Sequence, residues 1–210
     1  MEMSGSEGSE IGEIETGADA TLRIQTKRLE MIAATPALIR SELTDRRLFS
    51  RMLRALVPKD WPPELYDEEA ARWTLNYLEQ RPERVGWGLW YCVLVAAPVV
   101  TQGQRRVLMG IAGYKGTPTA EGQVEIGYGV LKGYRRAAYA TEAARALVER
   151  AFDYPEVRSV IAETFPEIIA SIGVLGKNGF VLIGPGSEEG VIRFELTRSK
   201  FERQVQSSSS

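Results

Sequence analysis

The hydrophobic pattern changes its period in the middle of the chain. Apolar residues alternate with polar residues and glycines over residues 123–130, QVEIGYGV, which predicts a strand. From Thr141 to Phe152 the apolar positions recur at helical spacing, and Thr141 followed by Glu142 is typical of a helix N-terminus. The sequence therefore predicts a strand, a short basic loop and a helix in direct succession.

The same patterns predict the elements of the first half of the chain. Alternating apolar positions indicate strands, and apolar positions three and four residues apart indicate helices. The predicted elements are a strand over 26–34, a helical region over 36–57 interrupted near Thr44 and Asp45, a helix over 67–80, and strands over 86–97 and 106–115 joined by a turn at Gly103.

A strand, a helix and a hairpin are predicted after the central helix. The strand covers 159–164, the helix covers 166–178 with Gly179 as a left-handed cap, and the hairpin joins 181–184 to 190–196. The three strands before the central helix form an antiparallel meander, and the strand after that helix adds a parallel pair. The fold class is thus α+β with α/β character, built on a mixed sheet.

The two ends of the chain differ in composition from its centre. Residues 1–20 are rich in Gly, Ser and Glu with few large apolar side chains, which predicts disorder. Residues 206–210 are predicted to form a serine-rich tail. We interpret residues 21–205 as a single domain, because 210 residues with 44% hydrophobic content suffice for one compact core.

Charge and amino-acid usage exclude several classes of protein and of chemistry. A net charge of −2 provides no bulk positive field for nucleic acid or an anionic membrane, and no apolar run is long enough to span a bilayer. We therefore predict a cytoplasmic protein with neither partner. The chain has no histidine and one cysteine, Cys92, so histidine-based triads and metal sites of His or clustered Cys ligands are excluded. A general base must be a carboxylate, Tyr, Lys or water.

The loop before the central helix has the properties of an anion site. The first turn of a helix has backbone N–H groups without intrahelical partners, and the helix dipole adds positive potential there. Arg135 and Arg136 lie directly upstream and can add charge-assisted hydrogen bonds to a phosphate. The alternative is an ordinary strand-loop-helix unit whose basic loop is solvated.

Four short motifs carry a resemblance to a known family. They are the opening TKRL at 26–29, the EIGY at 125–128, the loop RRAAYA at 135–140 in the pattern R-x-x-G-x-G/A, and PEIIAS at 166–171 followed by Gly179 and Phe180. Together they resemble the GNAT superfamily of N-acetyltransferases, in particular the branch that acetylates ribosomal-protein N-termini and small amines. The resemblance spans about residues 25–196.

The resemblance implies a fold, a cosubstrate and an acceptor class. In the family, two adjacent parallel strands separate into a V, here residues 123–130 and 159–164, and the gap admits acetyl-CoA. The implied acceptor is the amine of a small molecule or a peptide N-terminus, acetylated by direct attack, in a monomer or homodimer. The implied cofactor-binding residues are Val130, Arg135, Arg136, Ala137, Ala138, Tyr139, Ala140, Thr141, Ile168, Ser171 and Gly173.

Four residues are the candidates for catalysis. Glu125 matches the strand carboxylate that serves family members as general base, often through water, although a solvated strand carboxylate is the alternative. Glu163 on the partner strand is the second candidate base. Tyr128 and Ser171 are candidates for substrate orientation or proton donation. Leu175 stands where some branches have a tyrosine as general acid.

Departures from the family motifs cluster in the same region. Ala138 replaces a glycine, Ile168 replaces an asparagine, and Gly173 and Gly176 replace an arginine and a glutamate. A Cβ at position 138 is expected to strain the turn, and the other changes suggest a larger, more apolar cofactor cleft. The alternative function is therefore a degenerate or engineered protein of the same fold that binds a different ligand or hosts a different reaction.

Overall fold

Residues 21–64, 66–95 and 106–208 are the part of the chain that the computed structural model describes. The strands in these ranges are β1 (Arg23–Gln25), β2 (Leu29–Ala33), β3 (Leu89–Leu94), β4 (Val107–Tyr114), β5 (Gln123–Val130), β6 (Ser159–Thr164), β7 (Val181–Pro185) and β8 (Ile192–Thr197). The helices are α1 (Pro36–Thr44), α2 (Arg46–Leu53), α3 (Glu68–Gln80), α4 (Tyr139–Phe152), α5 (Ile169–Lys177) and α6 (Arg198–Ser208).

The described strands form one mixed sheet in the order β1-β2-β3-β4-β5-β6-β8-β7. Neighbouring strands are antiparallel except β5 and β6, which are parallel. The parallel pair arises because α4 returns the chain from the end of β5 to the start of β6. The predicted α+β fold with a mostly antiparallel mixed sheet is confirmed.

Aspartate caps set the starts of two helices in the first half. Asp45 ends α1 and begins α2, where its carboxylate accepts hydrogen bonds from the N–H groups of Arg47 at 2.9 Å and Leu48 at 3.0 Å. Asp67 caps α3 in the same way through the N–H of Ala70. These bonds satisfy N–H groups that a helix start otherwise leaves free, which explains the predicted interruption near Asp45.

The start of the chain differs in part from its prediction. The opening strand predicted over 26–34 is the shorter β2, and it pairs with the preceding β1 in a hairpin in which Arg23 lies opposite Ile32. The three-residue β1 is too short for a periodic pattern to reveal it. Residues 1–20, with their predicted disorder, and the turn predicted at Gly103 lie outside the described ranges.

Helices cover the sheet on both faces and enclose two cores. Alternate residues of β3 point to opposite sides, so Trp90 and Cys92 join the core under α4 and α5, whereas Tyr91 and Val93 join the core under α1, α2 and α3. Cys92 is buried, and burial raises the pKa of its thiol to about 12. This agrees with its interpretation as a structural thiol.

The sheet divides between β5 and β6. Only three residue pairs join these strands, the last being Glu125 opposite Ile161. Beyond it β5 stays paired with β4 as far as Val130, and β6 stays paired with β8 as far as Thr164. The two strands therefore form the predicted V, and the gap between them is the cleft considered below.

The last part of the chain contains one expected helix end and one unexpected helix. At the end of α5, Gly179 has φ of 84° and donates to Gly176 O at 3.0 Å, while Phe180 N–H donates to Leu175 O at 3.0 Å. These two bonds form the Schellman motif that the glycine predicted. Helix α6 was not predicted, and it includes the first residues assigned to the serine tail. Among the described helices, none is long and apolar enough to cross a membrane.

Candidate active site

The central helix begins earlier than the sequence indicates. Its first residue is Tyr139 and its N-cap is Ala138, so the prediction of Thr141 as N-cap is wrong. Ala138 has φ of 62° and ψ of 16°, a left-handed conformation, and it has no side chain that can cap the helix. Arg136 also has a positive φ of 63°. The expected strain is therefore present, because an L-residue in this region costs about 1–2 kcal/mol.

The start of α4 presents a row of free donors. The first intrahelical bond runs from Glu142 N–H to Ala138 O at 3.0 Å. The backbone N–H groups of residues 138–141 make no hydrogen bond to another described residue. Unpartnered N–H groups at a helix start, together with the helix dipole, attract an anion. This part of the predicted cofactor site thus has suitable geometry.

The two arginines of the loop have different surroundings. The Nη2 of Arg135 donates to Glu64 Oε2 at 2.7 Å, and its Nε donates to Val130 O at 3.1 Å. Lys132 also pairs with Glu64, at 2.8 Å, and these two cations lower the pKa of the Glu64 carboxyl to about 2. The Arg135 guanidinium thus pairs with a carboxylate and a carbonyl, and its contact with an anion stays a prediction. Arg136 is exposed and is the loop cation that remains open.

A network absent from the prediction fastens the loop to the β1–β2 turn. Glu142 accepts hydrogen bonds from Thr26 Oγ1 at 2.6 Å, Arg28 N–H at 2.8 Å and Arg28 Nε at 2.7 Å. Arg28 Nη1 also donates to Ala137 O at 2.9 Å, and the guanidinium lies 4.5 Å from the centre of the Tyr139 ring. Partial burial alone would raise the pKa of Glu142, but the bonds from Thr26 and Arg28 outweigh it and lower the pKa.

Glu125 lies at the vertex of the cleft, where β5 and β6 separate. Its Oε1 is buried and has no hydrogen-bond donor in the described part of the chain. The Lys115 ammonium lies within ion-pair distance of this oxygen, but not in a direction that forms a hydrogen bond. Gly127 follows on the same face of β5, and a Cβ there would meet no atom within 4 Å. Open space therefore lies at the next position along this face of β5.

Glu163, the second predicted base, is fully engaged. Its carboxylate accepts hydrogen bonds from Ser187 N–H at 2.9 Å, Ser187 Oγ at 2.6 Å and Arg193 Nε at 2.7 Å. Desolvation would raise the pKa of Glu163, but these bonds hold it below its ordinary value. Such a carboxylate is a weak proton acceptor, so the geometry favours Glu125 over Glu163, whose role as a second base stays a prediction. It fastens the loop between β7 and β8 to β6.

Tyr128 and Ser171 meet across the open part of the V. The Tyr128 hydroxyl donates to Ser171 O at 3.2 Å and lies 3.1 Å from Ser171 Oγ. Burial raises the pKa of Tyr128 to about 12, so the phenol stays protonated at neutral pH. The structure thus brings these two predicted residues together in a bridge from β5 to the first turn of α5.

The departures on α5 have simpler effects than the predicted enlargement of the cleft. Ile168 is the N-cap of α5, and no side chain accepts a bond from the helix start. The asparagine expected from the family motifs would therefore be a cap. A Cβ at Gly173 or at Gly176 would meet no atom within 4 Å, and both residues are exposed. Their vacancies lie on the outer side of α5 and open no buried cavity.

The predicted residues thus lie in three places along the gap between β5 and β6. They are the open start of α4, Glu125 at the last β5–β6 pair, and the Tyr128–Ser171 bridge on the opposite face of β5 from Glu125. Arg135 and Glu163 are bound elsewhere. Sequence reasoning missed Thr26 and Arg28, although the TKRL motif that contains them was noticed without a role.

The fold and this cleft define a class of protein, which a family model identifies independently. The model described as "Acetyltransferase (GNAT) domain" matches residues 35–181. The chain belongs to the GNAT acetyltransferase family. Members of this family transfer an acetyl group from acetyl-CoA, so the predictions of an acetyltransferase and of its family are confirmed.

Individual relatives agree with this membership. An uncharacterized N-acetyltransferase, YjdG, of Bacillus subtilis (strain 168) is 30% identical over 84 residues, which is 40% of this chain. The chain spans about half the length of this curated relative. An acetyltransferase structure from Bacillus anthracis has a TM-score of 0.55 at 20% identity, covering 84% of this chain and 99% of that one. The apo structure of RimL, a ribosomal L7/L12 α-N-protein acetyltransferase, has a TM-score of 0.58 at 16% identity, covering 89% and 99%. At these identities the likeness concerns the fold.

Proposed function

We propose that this protein acetylates the amine of a small molecule or of a peptide N-terminus by direct attack on acetyl-CoA. The observation that carries the proposal is the position of Glu125, whose carboxylate lies at the vertex of the cleft with its Oε1 buried and ion-paired with the Lys115 ammonium. A carboxylate at this point can accept a proton from a bound amine directly or through a water.

The residues around the cleft fit acetyl-CoA, which supplies an acetyl group as a thioester. The free N–H groups of residues 138–141 and the exposed Arg136 would hold its phosphates. The backbone edges of β5 and β6 beyond the last paired residues, Glu125 and Ile161, would hold the amide-containing arm. Both sets of groups lie on the side towards which the V opens.

The reaction requires two proton movements that the cleft residues can support. An amine is mostly protonated at neutral pH and must lose a proton before its nitrogen can form the new bond to the acetyl carbon. Glu125 accepts that proton directly or through a water. The carbon–sulfur bond breaks, the protonated hydroxyl of Tyr128 donates its proton to the leaving sulfur, and Tyr128 regains a proton through water as the nitrogen releases its second proton to form the amide. Ser171 orients this hydroxyl.

The test separates the two carboxylates of the cleft. Glu125→Gln should lower turnover by roughly 10²–10⁴-fold and leave CoA binding nearly unchanged, measured by thiol release with a responsive amine and by calorimetry. Glu195→Gln, a strand carboxylate on β8, is the matched control and should keep the turnover of the parent. A loss in Glu163→Gln without a loss in Glu125→Gln would overturn this assignment.

The alternative of a degenerate or engineered protein with another ligand is not favoured. It predicts that CoA does not bind, whereas the donors that would hold CoA phosphates are free and the two glycines of α5 open no buried space. Calorimetric titration with CoA decides between the two, because no detectable binding would overturn the proposed acetyl transfer. Cytoplasmic location and the choice between monomer and homodimer stay predictions.

A further inference from the structure

Arg28 contacts three successive parts of the segment that enters α4. Its Nη1 donates to Ala137 O at 2.9 Å, its guanidinium lies 4.5 Å from the centre of the Tyr139 ring, and its Nε donates to Glu142 at 2.7 Å. These contacts lie on both sides of Ala138. One side chain therefore spans the point at which the backbone turns into the helix.

The segment needs support at this point. Ala138 and Arg136 both have left-handed backbone conformations, with φ of 62° and 63°, which glycine adopts without penalty and other residues do not. No side chain caps α4. Without an external restraint the loop would favour other backbone angles, and the N–H groups of residues 138–141 would no longer point to one place.

We propose that Arg28 is a positioning residue that holds this loop in its anion-binding form. The inference rests on the proposed function only where the anion is identified as CoA. Arg28 acts through the loop, because its guanidinium is already occupied by the Ala137 carbonyl, the Tyr139 ring and the Glu142 carboxylate.

Glu142 and Thr26 complete the restraint. Glu142 is fixed by Thr26 Oγ1 at 2.6 Å and by the backbone N–H of Arg28 at 2.8 Å. The β1–β2 turn belongs to the sheet, so these bonds hold the start of α4 in a fixed position relative to the sheet. A purely stabilising contact between these elements would show the same distances. The two roles differ in what happens when the strain at Ala138 is removed.

The experiment is a double-mutant cycle with Arg28→Met and Ala138→Gly. Met keeps most of the apolar stem of Arg and removes its donors. CoA affinity is measured by calorimetry, and hydrogen exchange is measured at the Glu142 N–H, the first hydrogen-bonded amide of α4, which donates to Ala138 O. Arg28→Met should weaken CoA binding by about ten- to a hundredfold and speed exchange at this N–H. Adding Ala138→Gly to Arg28→Met should raise its CoA affinity at least about threefold, since glycine adopts the left-handed conformation without the Cβ penalty.

Two further variants keep the result specific. Arg145→Met is the matched control, because Arg145 also pairs with a carboxylate of α4, Glu149 at 2.6 Å, and lies over the Phe201 ring, away from the loop. It should not change CoA binding. Arg28→Lys keeps the charge but cannot bridge Ala137 O and Glu142 together, so it should resemble Arg28→Met while preserving the fold.

The outcomes are distinct. CoA affinity unchanged in Arg28→Met would overturn the inference. A loss of affinity that Ala138→Gly does not relieve, with exchange at the Glu142 N–H as in the parent, would show direct ligand contact or general stabilisation and would also overturn it. If the parent binds no CoA but Arg28→Met speeds exchange at the Glu142 N–H and Arg145→Met does not, positioning of the loop stands and the proposed function fails.

Discussion

The two helices that begin beside the cleft start in opposite ways. At the start of α4, the loop is fastened from outside by Arg28 and Glu142, and the backbone donors stay free. At the start of α5, the N-cap is Ile168, which supplies no acceptor and is half-exposed. Neither helix has a capping side chain, yet only α4 has a restraint that replaces the cap.

The difference teaches what a missing cap means in each place. A capping side chain at α4 would occupy the donors that an anion needs, so the helix start must be held by something that does not touch them. At the start of α5 the contact across the cleft is the Tyr128–Ser171 bridge. The start of α5 thus depends on its neighbours across the cleft.

The largest expected effect tests whether both helices are anchored equally by their buried faces. Leu147 of α4 and Leu175 of α5 are both fully buried in the same core. Leu147→Ala and Leu175→Ala should each lower the free energy of unfolding by about 2–5 kcal/mol, measured by chemical denaturation. A much smaller loss for Leu175→Ala would show that the weakness of α5 includes its packing.

The next effect breaks the restraint on α4. Glu142→Gln removes the charge from three hydrogen bonds and should lower the free energy of unfolding by about 1–2 kcal/mol at neutral pH. The pKa of Glu142 is lowered in the folded protein, so its contribution is complete above the ordinary value of 4.5 and is lost as the pH falls through the lowered pKa.

Denaturation of the parent and Glu142→Gln at several pH values checks this sign. The difference between them should shrink below about pH 4.5, where the carboxylate of the parent becomes protonated. A difference that stays constant into acid would mean that the charge of Glu142 does not stabilise the start of α4.

A substitution that gives α5 a capping residue should have a smaller effect on stability. Ile168→Asn introduces a favoured capping residue at the N-cap of α5 and should raise the free energy of unfolding by about 0.5–2 kcal/mol. Because Asn does not titrate, this gain should be independent of pH, unlike the loss in Glu142→Gln. Ile168→Ala is the control that removes the apolar side chain without adding an acceptor, and a gain in both variants would exclude capping as the cause.

The smallest effect concerns the interior of α5. Gly173→Ala and Gly176→Ala should each raise the free energy of unfolding by about 0.5–1 kcal/mol, because alanine loses less conformational entropy in a helix. A Cβ meets no atom within 4 Å at either position, so no packing penalty is expected. Thermal melts of the single and double variants check additivity, and a loss of stability would show that these positions contact something besides solvent.

Local sequence signals predicted most of the fold. Apolar residues alternate with polar residues and glycines along the eight residues of β5, and Asp45 and Asp67 are favoured capping residues. Gly179 is the residue type that adopts a positive φ most readily, as a helix C-terminus often requires. Each of these signals lies within a few residues of the feature it determines. Elements without such a signal, namely the short β1 and the polar helix α6, were missed.

The site was less predictable because its contacts are distant in the sequence. Arg28 and Glu142 are 114 residues apart, and nothing near either residue indicates the other. Distance in sequence also hid the ion-pair partners of Arg135 and Glu163, which are Glu64 and Arg193 from other parts of the fold. Thr141 was assigned as the N-cap because threonine is a common capping residue. Nothing in the sequence indicates that Ala138 adopts a left-handed conformation and begins the helix three residues earlier.

The division of the sheet also has a consequence for the integrity of the protein in solution. An open sheet has two outer edges, here β1 and β7, whose unpaired backbone groups invite pairing with other chains. The gap after Glu125 and Ile161 adds two inner edges, which face each other across the cleft. The Tyr128–Ser171 bond holds the rim of that gap. Its loss would expose hydrogen-bonding backbone on both sides, so aggregation on storage is a hazard we expect specifically of Tyr128→Phe.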